Sequence, residues 1–125
     1  LGTCAGLIMM SASIKNDSQI TTLNILDIEV ARNAYGRQTD SFIGEINIRI
    51  NDQNLNAKAP FIRAPKILKI GDSVEVLSKH NSDIVAVKSG NHYGLTFHPE
   101  LSGITFFHNY IFAKQNEAIK ENNAA

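Results

Sequence analysis

Leu1-Gly2-Thr3-Cys4-Ala5-Gly6-Leu7-Ile8-Met9-Met10 is the stretch whose reading decides the fold. Cys4 is the chain's single cysteine, with a glycine two positions away on either side. G-x-C-x-G is one form of a nucleophile elbow, in which a strand turns sharply into a helix and the reactive side chain rides the turn. Glycines are expected there because the turn is tight and a Cβ beside the nucleophile would meet backbone. Residues 7–10 then read as the opening of a buried helix. At its N-terminus, unpaired backbone N–H groups and the positive end of the dipole favour a thiolate. The N–H of Ala5 supplies one half of an oxyanion hole. A lone cysteine is more often a small buried hydrophobe, so a catalytic reading needs a base from elsewhere in the chain.

The bulk numbers narrow the field before that base is sought. A chain of 125 residues that is 43% hydrophobic and 19% charged is an ordinary globular domain, not a disordered or fibrous one. Twelve basic and twelve acidic residues cancel, which leaves no electrostatic footprint for nucleic acid or an anionic membrane. One cysteine makes no internal disulfide, and this favours a reducing, cytoplasmic compartment. No apolar run is long enough to span a bilayer, and residues 1–10 lack the basic start of a signal peptide. An elbow needs a strand feeding it, yet Cys4 is the fourth residue and no initiator Met precedes it. Residues 1–125 are therefore expected to be the C-terminal part of one longer domain, with earlier strand–helix units missing.

Residues 5–14 fit a short helix, closed by the polar run 15–19. Leu26, Ile28 and Val30 alternate with Asp27 and Glu29, the period of a strand with one wet face. Residues 32–38 follow as a loop with Asn and Gly turn chemistry. Ile46, Ile48 and Ile50 alternate with polar neighbours and give the cleanest strand. Residues 51–57 read as a polar surface connection. Residues 61–65 read as a short strand stopped by Pro65, which lacks a ladder donor. Residues 73–77 and 84–88 form a strand pair with the turn at 79–83, and 93–97 is a further strand. Ile104, Phe107 and Ile111 have helical spacing for an amphipathic closing helix, ahead of a polar tail over 114–125. Beta content outweighs helix, but an elbow belongs to a mixed sheet covered on both faces. The fold class expected is α/β.

His98-Pro99-Glu100 supplies the base. Side chains at i and i+2 of an extended segment project to one side, and Pro99 pushes His98 away from helical conformations. A carboxylate can then hold one imidazole nitrogen while the other faces a nucleophile, the relation a Cys or Ser nucleophile requires. His80, His92 and His108 have no such companion and read as surface or packing residues.

With these residues in view, the chain resembles the class I, triad-type glutamine amidotransferases. Residues 2–6 and 98–100 carry that likeness. Val30-Ala31-Arg32-Asn33-Ala34-Tyr35-Gly36-Arg37-Gln38, Ser41-Phe42 and Phe61-Ile62-Arg63-Ala64-Pro65 are similar to signatures of the glutaminase subunits of pyridoxal 5′-phosphate synthase, the PdxT type. Thr96-Phe97-His98-Pro99-Glu100-Leu101 also fits that family. The resemblance implies a three-layer fold around a central mixed sheet and hydrolysis of L-glutamine for vitamin B6 biosynthesis. Cys4 would be the nucleophile, His98 the acid–base and Glu100 its orienter. The resemblance further implies that Arg32, Ile62 and Arg63 contact glutamine; an arginine fork suits its carboxylate. Ammonia would pass to a separate synthase (lyase) subunit in a hetero-oligomeric complex. No cofactor, metal, nucleic acid or membrane partner is expected. A Gly-Gly-Glu-Ser type stretch, which the family has upstream of the cysteine, has no counterpart here.

Two other readings remain open at this stage. One is a different Cys-His-Glu hydrolase, such as a γ-glutamyl hydrolase or another amidotransferase subunit. The other is a degenerate, non-catalytic domain that only binds a synthase.

Overall fold

A computed structural model describes residues 1–32, 41–50, 52–102 and 108–109. The elbow expectation holds at its core. A two-residue strand, β1 (Gly2–Thr3), turns at Cys4 into helix α1 (Ala5–Met10). The helix presents Leu7 and Met10, one turn apart, to the interior. It stops at Ser11, whose extended backbone returns its N–H to the last turn and whose hydroxyl donates to the Ile8 carbonyl at 2.7 Å.

From there the chain is strand, which corrects the helix expected to run to residue 14. β2 (Ser11–Ile14) pairs in parallel with β3 (Leu26–Ala31), and that pairing draws Ser11-Ala12-Ser13-Ile14 out of the helix. In β3, Leu26, Ile28 and Val30 face inward as their alternation requires. β4 (Ser41–Ile50) and β5 (Gln53–Ile62) form a long antiparallel hairpin. The surface connection expected over 51–57 is therefore corrected: β5 begins at Gln53. Its first four residues are exposed, so no buried face stamped an alternation on them.

β6 (Lys66–Ile70), absent from the sequence reading, pairs antiparallel with β3. β7 (Glu75–His80) and β8 (Asp83–Ser89) are the expected hairpin, and β9 (His92–Leu95) ends two residues earlier than expected. The loop residues 33–38, the closing helix beyond residue 103 except His108 and Asn109, and the tail lie outside the described residues.

The strands make a six-stranded sheet in the order β1-β9-β8-β7-β4-β5 and a three-stranded sheet in the order β2-β3-β6. In the larger sheet β1 and β9 run parallel and the other neighbours antiparallel, so it is mixed. Val85, Ala86 and Val87 of β8 are all buried, the mark of a strand covered on both faces. One cluster joins α1 and the small sheet to Val87 through Leu7, Leu26 and Val30. The other gathers Ile46, Ile48, Phe61, Leu95 and Phe97. Burial of apolar surface, worth about 25 cal/mol per Å², anchors Leu95 of β9 in one cluster and Leu7 of α1 in the other.

Candidate active site

The parallel pairing of β1 with β9 sets Gly2 against Gly94 and Thr3 against Leu95. The next residue on each strand is Cys4 and Thr96, so both leave the sheet together at the C-terminal ends of parallel strands. That is where open α/β sheets carry their ligands. The Cys4 N–H donates to the Leu95 carbonyl at 2.9 Å, and its thiol donates to the Thr96 carbonyl at 3.2 Å. Cys4 takes φ 50, ψ −103, a conformation an L residue holds only when its surroundings enforce it.

The two glycines of the elbow differ. A Cβ on Gly2 would lie 2.5 Å from Met10 Sδ and 2.8 Å from the Gly6 backbone, so Gly2 is there for close approach. A Cβ on Gly6 would meet nothing within 4 Å, which corrects the expectation that both are sterically required. Ala5 is the first helical residue, and its N–H belongs to the group that no helical carbonyl reaches.

His98 and Glu100 come together as expected, but by another route. Pro99–Ser102 is a 3-10 turn, not an extended segment, and it folds the Glu100 carboxylate back to accept from His98 Nδ1 at 2.8 Å. Because a carboxylate only accepts, Nδ1 carries the hydrogen and Nε2 is left as the basic nitrogen. The His98 N–H donates to the Pro60 carbonyl at 3.3 Å, which ties this turn to the end of β5. The buried Phe97 ring packs 5.6 Å from Phe61 on the same strand.

The electrostatics correct one expectation. Burial, with the Glu100 charge adding to it, pushes the Cys4 thiol up from its ordinary 9.0 to about 11. A six-residue helix with no acidic or basic residues at its ends does not offset that desolvation. The resting side chain is a thiol, and a thiolate forms only as its proton leaves. Glu100 is held below the ordinary carboxylate value. Burial acts against this, and its own backbone N–H, the His98 hydrogen bond and the electrostatic influence of His98 and His108 outweigh it. His108, read from the sequence as a surface or packing residue, thus acts on Glu100.

Arg32 donates to Asp17 at 3.1 Å and is about half exposed. Ile62 and Arg63 are exposed at the end of β5, and Arg63 sits at φ 44. They follow Pro60 by two and three residues, which puts them on the segment that also holds His98. The carbonyls of Leu95, Thr96 and Pro60 were not foreseeable, since a backbone group carries no residue-type signal. Among the described residues, no helix is long and apolar enough to cross a membrane.

A mixed sheet with an elbow cysteine and a His–Glu pair just past neighbouring strand ends is the arrangement that the likeness to class I glutamine amidotransferases implies. A crystal structure of a glutamine amidotransferase superposes with a TM-score of 0.80 at 34% identity, over 90% of this chain and 58% of that one. More narrowly, the SNO glutamine amidotransferase family model matches residues 1–117, and the chain belongs to that family. Curated relatives carry the name pyridoxal 5′-phosphate synthase subunit PdxT. That of Tropheryma whipplei (strain Twist) is 50% identical over 112 residues, 87% of this chain and 56% of the relative. That of Dictyoglomus turgidum is 44% identical over 117 residues, 94% of this chain and 61% of the relative. The chain thus spans a little over half the length of these relatives.

Proposed function

We propose that the protein to which these residues belong is a glutaminase. It hydrolyses L-glutamine to L-glutamate and ammonia and delivers the ammonia to a pyridoxal 5′-phosphate synthase subunit in the cytoplasm. On this reading residues 1–125 are the C-terminal part of a single glutaminase domain. The observation that carries it is a strained cysteine elbow at the end of one strand, with a histidine that a carboxylate orients at 2.8 Å three residues past the end of the adjoining parallel strand. Membership of the glutamine amidotransferase family and the PdxT relatives support the substrate and the partner.

In this mechanism Cys4 Sγ loses its proton to His98 Nε2 and attacks the side-chain amide carbon. The tetrahedral oxyanion is met by the Ala5 N–H. Collapse breaks the C–N bond as His98 returns the proton to the departing ammonia, leaving a γ-glutamyl thioester. His98 then takes a proton from water, whose oxygen attacks the thioester and releases glutamate and the thiol. Glu100 keeps the imidazole oriented and stabilises its charged form. Arg32, Ile62 and Arg63 contact the amino-acid end of glutamine. For Arg32 this means exchanging the Asp17 carboxylate for that of the substrate, one charge-assisted partner for another. The left-handed backbone at Arg63 is the local strain expected where a loop is shaped for a ligand.

The test is glutamate release from glutamine by the full-length protein, with and without its synthase subunit. Release that rises when the synthase is added is the expected result. Release indifferent to the synthase would point to another hydrolase, and none in either condition to a binding domain.

A further inference from the structure

Thr96 is fully buried beside the nucleophile, yet its hydroxyl has no hydrogen-bond partner among the described residues. Its other polar groups are committed. The N–H donates to the Val85 carbonyl at 2.9 Å, and the carbonyl accepts the Cys4 thiol at 3.2 Å. An orphaned buried hydroxyl is costly, and valine, of nearly the same shape, would avoid the cost. Such a group kept next to a reactive sulfur asks for a use in the reaction.

Covalent geometry bounds where that hydroxyl lies: four bonds separate Oγ1 from the Thr96 carbonyl oxygen, so the two are within about 5 Å. One rotamer step at Cys4 sweeps its sulfur through about 3 Å. In the resting rotamer no hydrogen bond joins the thiol to that hydroxyl, so donation from it requires Cys4 to turn away from the carbonyl. The two oxygens suit opposite protonation states. A carbonyl only accepts and can hold S–H, whereas a hydroxyl also donates and can hold S⁻.

We propose that Thr96 is a positioning residue for the nucleophile: its carbonyl parks Cys4 as the thiol, and its hydroxyl donates to the thiolate once the proton has passed to His98. The S–H bond breaks, an N–H bond forms at His98 Nε2, and the electron pair stays on sulfur, which accepts the Thr96 Oγ1–H. The His98 imidazolium formed by this transfer attracts the new charge on sulfur, and the Glu100 carboxylate opposes it. An uncharged donor buried in place offsets that opposition without solvent rearrangement. The inference rests on the glutaminase reading for its substrate but not for its thiol chemistry.

Thr96→Val and Thr96→Ser in the full-length protein, assembled with the synthase subunit, provide the test. Two quantities are read: the pH midpoint of iodoacetamide alkylation at Cys4, and kcat and KM for glutamine. Removal of the hydroxyl in Thr96→Val is expected to raise the midpoint by about one unit and lower kcat about tenfold to a hundredfold, with KM little changed. Thr96→Ser restores both. Should Thr96→Val fail to fold, Thr96→Ala, smaller and also without the hydroxyl, reads the same midpoint. An unmoved midpoint in the hydroxyl-free variants would overturn the proposal, whatever happens to kcat. A midpoint that moves in a protein releasing no glutamate would sustain the proposal and remove the glutaminase reading instead.

Discussion

The β4–β5 hairpin and the Cys4 elbow solve opposite problems with the same polypeptide. The hairpin runs ten register pairs without a break, from Ser41↔Ile62 to Ile50↔Gln53. Ile46, Ile48 and Ile50 point inward, while Asn47 on the other face bonds the side chains of Asn54 and Asn56. The elbow instead joins a two-residue strand to a six-residue helix through a cysteine at φ 50, beside an orphaned hydroxyl. Regular pairing lowers free energy wherever it can form, so a place that departs from it this far is held there by its surroundings. The hairpin stabilises; the elbow works.

That contrast can be broken most forcefully by exchanging the roles. Cys4→Ala is expected to lower glutamine turnover by on the order of 10³-fold or more, while urea denaturation shifts by less than about 1 kcal/mol. Phe61→Ala, at the inner face of the hairpin, is expected to cost about 3–5 kcal/mol of stability, because the ring is almost wholly buried against Phe97 and Phe42. An elbow variant that unfolds the protein, or a Phe61 variant that leaves stability untouched, would reverse the account.

Within the elbow, the two glycines sharpen the comparison. Gly2→Ala drives a Cβ into Met10 and the Gly6 backbone and is expected to cost about 1–3 kcal/mol. Gly6→Ala meets open space on a helix and is expected to be neutral or to stabilise by up to about 1 kcal/mol. Thermal unfolding of the pair decides this, and equal losses would show that the steric reading of Gly2 is wrong.

The remaining effects concern pH. The Cys4 pKa is raised on folding, so its contribution to stability is present below its ordinary 9.0 and lost as pH rises towards about 11. Glu100 is the opposite case. Its depressed pKa contributes stability above the ordinary carboxylate range, which is lost as pH falls through the lower, folded value. Glu100 is about half exposed, so solvent screening keeps that share small. Denaturation midpoints of Cys4→Ala and Glu100→Gln across pH should flatten at the alkaline and acid ends respectively.

The sequence showed what periodicity and residue type can show. Alternating Ile46, Ile48 and Ile50 marked β4, and G-x-C-x-G with H-P-E marked the two strand ends that meet. It misled where tertiary pairing outvoted local pattern, as at residues 11–14, which β3 recruited into a strand. It was silent where a strand had no buried face to record, as in the wet half of β5. The thiol's protonation was misread because helix-end chemistry is visible in sequence and burial is not. The carbonyls of Leu95, Thr96 and Pro60, which hold Cys4 and His98, belong to backbone and leave no trace in residue identity.

The central claim is that Cys4 is the nucleophile of a glutaminase. It is tested most directly with a glutamine analogue carrying an electrophilic diazoketone in place of the amide, applied to the full-length protein with its synthase subunit. Peptide mass spectrometry would then locate the adduct. The account predicts one adduct, on the peptide containing Cys4, suppressed by excess glutamine and lost in His98→Asn. No adduct, or one on Cys4 that glutamine does not suppress, would contradict it.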